Sequence, residues 1–131
     1  IRTCFCLGAY LEIIEPCGFL FSDKRFKRVV MDYFDVDKIM FYKSSEEFFN
    51  LKKNQRVILF TTKAEKSYTK FKFKNDDTLL FGRESSGVPK KIHNLVSERL
   101  KVPIKKNKRS LNLSTAVAIV LAENLRQCNR I

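Results

Sequence analysis

The sequence predicts an α/β architecture, a mostly parallel sheet with helices on both faces. Three observations carry that expectation. Short apolar runs of strand length recur as YLEII (10–14), KIMFY (38–42), RVILF (56–60), TLLFG (78–82) and KVPI (101–104). They are apolar nearly throughout, as in strands covered on both faces. Segments with helix-start signals separate them, and regular alternation of strand and helix favours parallel pairing through crossovers. Finally, seven consecutive apolar residues, 116–122, make the closing helix apolar on every side. A surface helix shows only an apolar stripe, so this one needs partners all round.

Taken in order, IRTCFCLGA reads as the end of a helix closed by Gly8. A segment is therefore expected in front of Ile1. After the strand YLEII, Asp23 is placed to cap a helix over DKRFKRVVMDYF (23–34). Ser44 and Glu47 form a capping-box pattern ahead of EEFFNLKK, and Pro89 suits the first turn of VPKKIHNLV. The stretch KAEKSYTKFKFKNDD (63–77) is polar and basic, which predicts a mobile loop. With 131 residues and no internal repeat, the chain is expected to be one domain, 1–131.

A net charge of +12 on a composition that is 44% hydrophobic, with 12 Phe, implies a folded body with an anionic partner. Nucleic acid is favoured over a membrane surface, because no apolar run approaches the ~18–20 residues that span a bilayer and no signal-peptide pattern opens the chain. A cytoplasmic location follows as the expectation. Cys4, Cys6, Cys17 and Cys128 include no C-x-x-C pair, and His93 is the sole histidine, expected on a helix surface. Neither a disulfide framework nor a metal site is expected. The four glycines, Gly8, Gly18, Gly82 and Gly87, form neither a G-x-G-x-x-G turn nor a P-loop.

Three stretches could carry chemistry. LLFGRESSGVP (79–89) takes a strand into a polar turn between two glycines, where open α/β sheets bind ligands, and Glu84 is placed to orient a polar substrate. An ordinary strand-to-helix turn is the plain alternative. KVPIKKNKRSLNLS (101–114) offers loop amides and small polar side chains, Ser110, Asn112 and Ser114, which also suit helix capping. Lys24, Arg25, Lys27 and Arg28 on one expected helix, with Lys105, Lys106, Lys108 and Arg109 in the loop, suit phosphate contacts; solvated faces are the plain alternative.

IRTCFCLGAYLEIIEPCGFLFSDKRFKRVVMDY, LFTTKA, LLFGRESSGVP and VPIKKNKRSLNLSTAVAIVLAENLRQ, in that order, resemble the SPOUT superfamily of RNA methyltransferases. The likeness is greatest to its TrmL (YibK) group of small tRNA 2'-O-methyltransferases, which act on the wobble nucleotide of the anticodon. It runs over essentially the whole chain. It implies an α/β knot fold with a C-terminal trefoil knot, and a homodimer in which the closing helix meets its own domain and its twin. It also implies S-adenosyl-L-methionine held by backbone groups around Phe60, Gly82, Val102, Ile104, Ser110 and Leu113.

By the same resemblance Arg2 is the catalytic arginine, with Glu84, Ser110 and Asn112 shaping the site. Lys24, Arg25, Arg28, Lys105 and Arg109 are the expected RNA contacts, on the anticodon stem-loop of tRNA. The pattern differs in two places. The family's N-terminal strand and its turn are absent ahead of Arg2, and Ala122 stands where relatives carry a tyrosine before the glutamate matched by Glu123. The alternative from another class is a basic RNA-binding module that keeps the fold without catalysis.

Overall fold

A computed structural model describes residues 1–16, 28, 36–83 and 86–131. They fall into two compact units, Ile1–Lys53 and Asn54–Ile131.

In the first unit, helix α1 (Arg2–Cys6) ends as its sequence predicts. Gly8 takes a left-handed φ of +73°, which glycine adopts without a Cβ penalty. Its N–H donates to the Phe5 carbonyl at 3.1 Å, and that of Ala9 to the Cys4 carbonyl at 2.8 Å, closing a Schellman motif. Strands β1 (Leu11–Ile14) and β2 (Ile39–Tyr42) pair in parallel, with Leu11 opposite Ile39 and Ile14 opposite Tyr42. Ile13 and Ile39 are buried at their centre, and Ile1, Phe5 and Leu11 pack against them.

Helix α2 (Ser45–Leu51) is capped by Ser44, whose Oγ accepts the Glu47 N–H at 3.1 Å. The Glu47 carboxylate reaches one residue further back than a reciprocal box would, to the Lys43 N–H at 2.7 Å. This helix buries Phe48 edge-on against Tyr42, with ring centroids 5.2 Å apart. The expected helix over 23–34 lies outside the described residues apart from Arg28, which is helical and exposed.

The Tyr42 hydroxyl donates to Glu12 at 2.7 Å, and Lys52 pairs with the same carboxylate at 2.8 Å. Burial, and then the bond to Glu12, push the Tyr42 phenol up to about 12. A raised acid pKa means that folding favours the neutral hydroxyl. This contribution is therefore complete below the phenol's ordinary value of 10.0 and is lost as pH rises through about 12. Chemical denaturation at pH 9, 10.5 and 11.5 should show the wild-type losing stability faster with pH than Tyr42→Phe; parallel curves would remove this bond from the balance.

In the second unit, β3 (Val57–Phe60) lies between β4 (Thr78–Phe81) and β5 (Glu98–Leu100), all parallel. All four residues of β3 are buried, as a central strand of an α/β layer requires. Helix α3 (Lys90–His93) is a single turn started by Pro89, which sits just before the helix at φ −58° rather than inside it, and His93 is half-buried. Helix α4 (Leu113–Gln127) starts at Asn112 and ends at Asn129, whose φ of +56° closes a second Schellman motif. Its buried residues include Val120, Leu121 and Leu125, whereas Ala116, Val117, Ala118, Ile119 and Ala122 are half-buried. Val120 enters a core with Ile58, Phe60, Phe71, Phe73 and Leu100.

Two expectations are corrected here. The strand expected at 101–104 lies at Glu98–Leu100, where Glu98, Arg99 and Leu100 face Ile58, Leu59 and Phe60. Beyond it only Lys101 continues, in one bridge to Ser67. Pro103 has no N–H to donate, and β5 ends the strand order of this sheet among the described residues, with Glu98 half-buried and Arg99 exposed.

The basic stretch 63–77 is not a loose loop either. Phe71 and Phe73 are 7% and 5% exposed, inside the core. Its polarity hid this, since lysines alternate with the two buried rings.

Candidate functional site

In the second unit a cavity of about 400 Å³ opens at the carboxyl ends of β3, β4 and β5. Phe60, Thr61 and Thr62 enter it from the end of β3, Phe81, Gly82 and Val88 from the end of β4 and the turn after it. Val102 and Ile104 follow β5, and Ser110, Asn112, Leu113 and Ala116 close it at the start of α4. Ends of adjoining parallel strands are where α/β sheets place ligands, because the strands diverge into loops there.

One wall is aromatic. Phe60 and Phe81 face each other across β3 and β4 in register and stack at 5.0 Å with planes 15° apart. The next wall is a close backbone approach. Arg83 and Gly87 exchange N–H to carbonyl bonds of 3.1 and 2.9 Å, folding the turn back on itself. A Cβ at Gly82 would sit 2.5 Å from the Gly87 carbonyl carbon and 2.8 Å from the Val88 nitrogen. Only glycine fits there. Gly87 itself has φ +65°, a left-handed turn position.

The third wall is the loop into α4. Asn112 Oδ1 accepts from the Ser114 N–H at 2.9 Å, the Ser114 hydroxyl at 2.7 Å and the Thr115 N–H at 3.4 Å. Capping thus occupies the oxygen of Asn112; the amide nitrogen supplies donors only. Earlier in this loop Asn107 is left-handed at φ +62°, beside a turn closed by the Lys108 N–H on the Lys105 carbonyl. Lys105, Arg109 and Ser110 are exposed along it.

Of the residues singled out from the sequence, Phe60, Gly82, Val102, Ile104, Ser110, Asn112 and Leu113 all line this one cavity. Arg2 is exposed on α1 of the first unit, and Glu84, Lys24 and Arg25 lie outside the described residues. Thr61, Thr62, Phe81 and Ala116 line the cavity without having been singled out. Phe81 carried a signal, being the fourth residue of an apolar run matching that of Phe60. Ala116 carried none, since its place depends on how α4 returns to the sheet. Among the described residues no group of three or more His, Cys, Asp and Glu is placed to hold a metal, and no helix is long and apolar enough to cross a membrane.

Known proteins are similar to this chain in sequence and in fold. Over 129 residues the chain is 43% identical to a tRNA (cytidine(34)-2'-O)-methyltransferase of Beijerinckia indica, covering 97% of this chain and 81% of that one. The Escherichia coli (strain K12) protein of the same name is 33% identical, over 97% of this chain and 82% of its own length. A structure solved in work on the 2-OH methylation of C/U34 on tRNA superposes with a TM-score of 0.87 at 35% identity, covering 96% of this chain and 83% of that one. Residues 1–122 match the SpoU rRNA Methylase family, and the chain belongs to that family.

Proposed function

We propose that this chain transfers a methyl group from S-adenosyl-L-methionine to the ribose 2'-hydroxyl of the wobble nucleotide in a tRNA anticodon. The observation that carries the reading is the cavity at the ends of three parallel strands, in a chain so similar to tRNA (cytidine(34)-2'-O)-methyltransferases. The residues fit the cofactor. A stacked aromatic wall suits an adenine ring, and the Gly82–Gly87 approach leaves main-chain groups, not side chains, facing the space. Phe60, Gly82, Val102, Ile104, Ser110 and Leu113 would hold it. When bound, the cofactor supplies an electrophilic sulfonium methyl.

The chain's own task is then to position a poorly nucleophilic hydroxyl and to balance charge. A guanidinium is not deprotonated in a protein, so Arg2 serves to orient the adjoining phosphate and to stabilise negative charge developing on oxygen. Ser110 and Asn112, with Glu84, shape the substrate side. Lys24, Arg25, Arg28, Lys105 and Arg109 meet tRNA phosphates in the anticodon stem-loop.

We further read 1–131 as one catalytic domain of a cytoplasmic homodimer, with the C-terminal segment threaded as a trefoil knot. The half-buried apolar residues Val117 and Ile119 of α4 support a second copy packing there.

The test is methyl incorporation from labelled cofactor into tRNA, with calorimetric titration of S-adenosylhomocysteine alongside. Arg2→Ala is expected to lower incorporation roughly tenfold or more, the loss of a charged hydrogen bond of about 1.5–3 kcal/mol, while the titrated affinity stays at the wild-type value. Undiminished incorporation would remove Arg2 from the chemistry. Binding of tRNA by the wild-type chain with no incorporation at all would instead favour the non-catalytic RNA-binding module.

A further inference from the structure

We propose that Lys70, Lys72 and Lys74 form a rigid cationic rail that binds the sugar–phosphate backbone of RNA away from the reacting nucleotide. The inference rests on the tRNA-methylation reading for its partner, and on the second unit alone for its geometry.

The backbone under these lysines is fixed at successive residues. Gln127 acts as a strand partner: its Oε1 accepts the Phe73 N–H at 2.8 Å and its Nε2 donates to the Phe71 carbonyl at 3.0 Å. Glu123 steadies that amide, accepting from Nε2 at 2.9 Å. Arg56 Nη2 donates to the Lys72 carbonyl at 3.0 Å, and the Lys74 N–H donates to Asp77 at 2.7 Å. Phe71 is extended, at φ −106° and ψ 140°, and both Phe71 and Phe73 point into the core.

Lys70 closes a single 3-10 turn, Tyr68–Lys70, and the chain is extended from Phe71. Side chains alternate along extended chain, so Lys72 between the two rings and Lys74 beside Phe73 point outward, and all three lysines are exposed. At about 3.3 Å per residue, Lys72 and Lys74 stand about 6.6 Å apart, with Lys70 at the end of the turn before them. That spacing is comparable with the separation of successive phosphates along one nucleic-acid strand.

Charge on this face is left for a partner. Asp77 is neutralised by Arg56 through two bonds of 2.6 and 2.7 Å. Lys66 lies 5.1 Å over the Phe71 ring, adding a further cation to the segment. Among the described residues, Lys70, Lys72 and Lys74 make no ion pair. A membrane surface is a poorer match, because none of the large apolar side chains exposed in the second unit, Leu95, Ile104, Leu111 and Ile131, belongs to this segment. A linear array of anions with regular spacing matches it better than an acidic protein surface does.

The experiment compares the full chain with the triple variant Lys70→Gln, Lys72→Gln, Lys74→Gln. Filter binding of transcribed tRNA and of poly(U) is followed across a potassium chloride series, with melting temperature and S-adenosylhomocysteine affinity as controls for folding. The expected result is a slope of log affinity against log salt that is shallower by roughly two, at ~0.7–0.9 per phosphate contact. Affinity at the lowest salt should fall at least about tenfold, on both RNAs, with both controls unchanged. A triple Lys→Arg variant should keep the wild-type slope.

An unchanged slope in the folded glutamine variant overturns the rail, even where tRNA methylation is intact. So does loss of binding to phosphatidylserine vesicles with the RNA slope retained. A shallower slope in a chain that transfers no methyl group sustains the rail and rejects the methylation reading instead.

Discussion

Gly82→Ala is expected to weaken S-adenosylhomocysteine binding by about a hundredfold, or ~2.7 kcal/mol, and to lower the melting temperature by several degrees. The reason is distance. A Cβ on residue 82 would lie 2.5 Å from the Gly87 carbonyl carbon, 2.7 Å from its Cα and 2.8 Å from the Val88 nitrogen, all main-chain atoms. A side chain could swing aside, whereas these atoms are held by the paired Arg83 and Gly87 hydrogen bonds. The turn must open, and overpacking of this kind costs about 1–3 kcal/mol. The opening falls on the cavity wall, so affinity should suffer more than stability.

Gly8→Ala separates the two effects. Gly8 also needs glycine, for its φ of +73°, but nothing lies within 4 Å of its Cβ position. That variant should lose about 1 kcal/mol of stability and keep its cofactor affinity. Wild-type affinity in a folded Gly82→Ala protein would show that the proposed cofactor site does not depend on this approach.

The physical origin of each element decides how far it could be read in advance. Strands β1 to β4 were legible as continuous apolar runs; β3 is buried along its whole length, whereas β2 keeps its run although Met40 and Phe41 are exposed. Gly8 and Ser44 were legible because capping is local: both partners lie within five residues. Gly82 was legible as a turn glycine, but its reason, contact with Gly87, appears only when the turn folds back.

Strand β5 was displaced by three residues because ERL looks like surface, while KVPI looks like core. What decides between them is pairing with Ile58, Leu59 and Phe60, which is not a local property. Ala116 and Thr62 at the cavity depend likewise on where separate segments meet. The homology motifs carried that information indirectly, by naming Phe60, Gly82, Val102 and Ser110 together although they are far apart in sequence.

The segment 63–77 shows the same limit most sharply, and Phe73→Ala tests the corrected view of it. Were the segment a solvated loop, as its six lysine and glutamate side chains over 63–74 suggest, the substitution would change stability by less than about 0.5 kcal/mol. In the structure Phe73 is 5% exposed, stacks on Phe60 at 6.4 Å with planes 24° apart and meets Phe71 edge-on at 5.1 Å. Truncating a buried phenylalanine costs about 3–5 kcal/mol, from lost transfer and from the void that remains.

The void would not easily collapse, because the backbone on either side is held by Gln127 and Arg56. Urea denaturation should therefore show a loss of about 3–5 kcal/mol at an unchanged m-value. Since Phe60 lines the cavity and loses a stacking neighbour, S-adenosylhomocysteine affinity should fall along with it. A loss below 0.5 kcal/mol would return the segment to the surface and detach the lysines at 70, 72 and 74 from any rigid support.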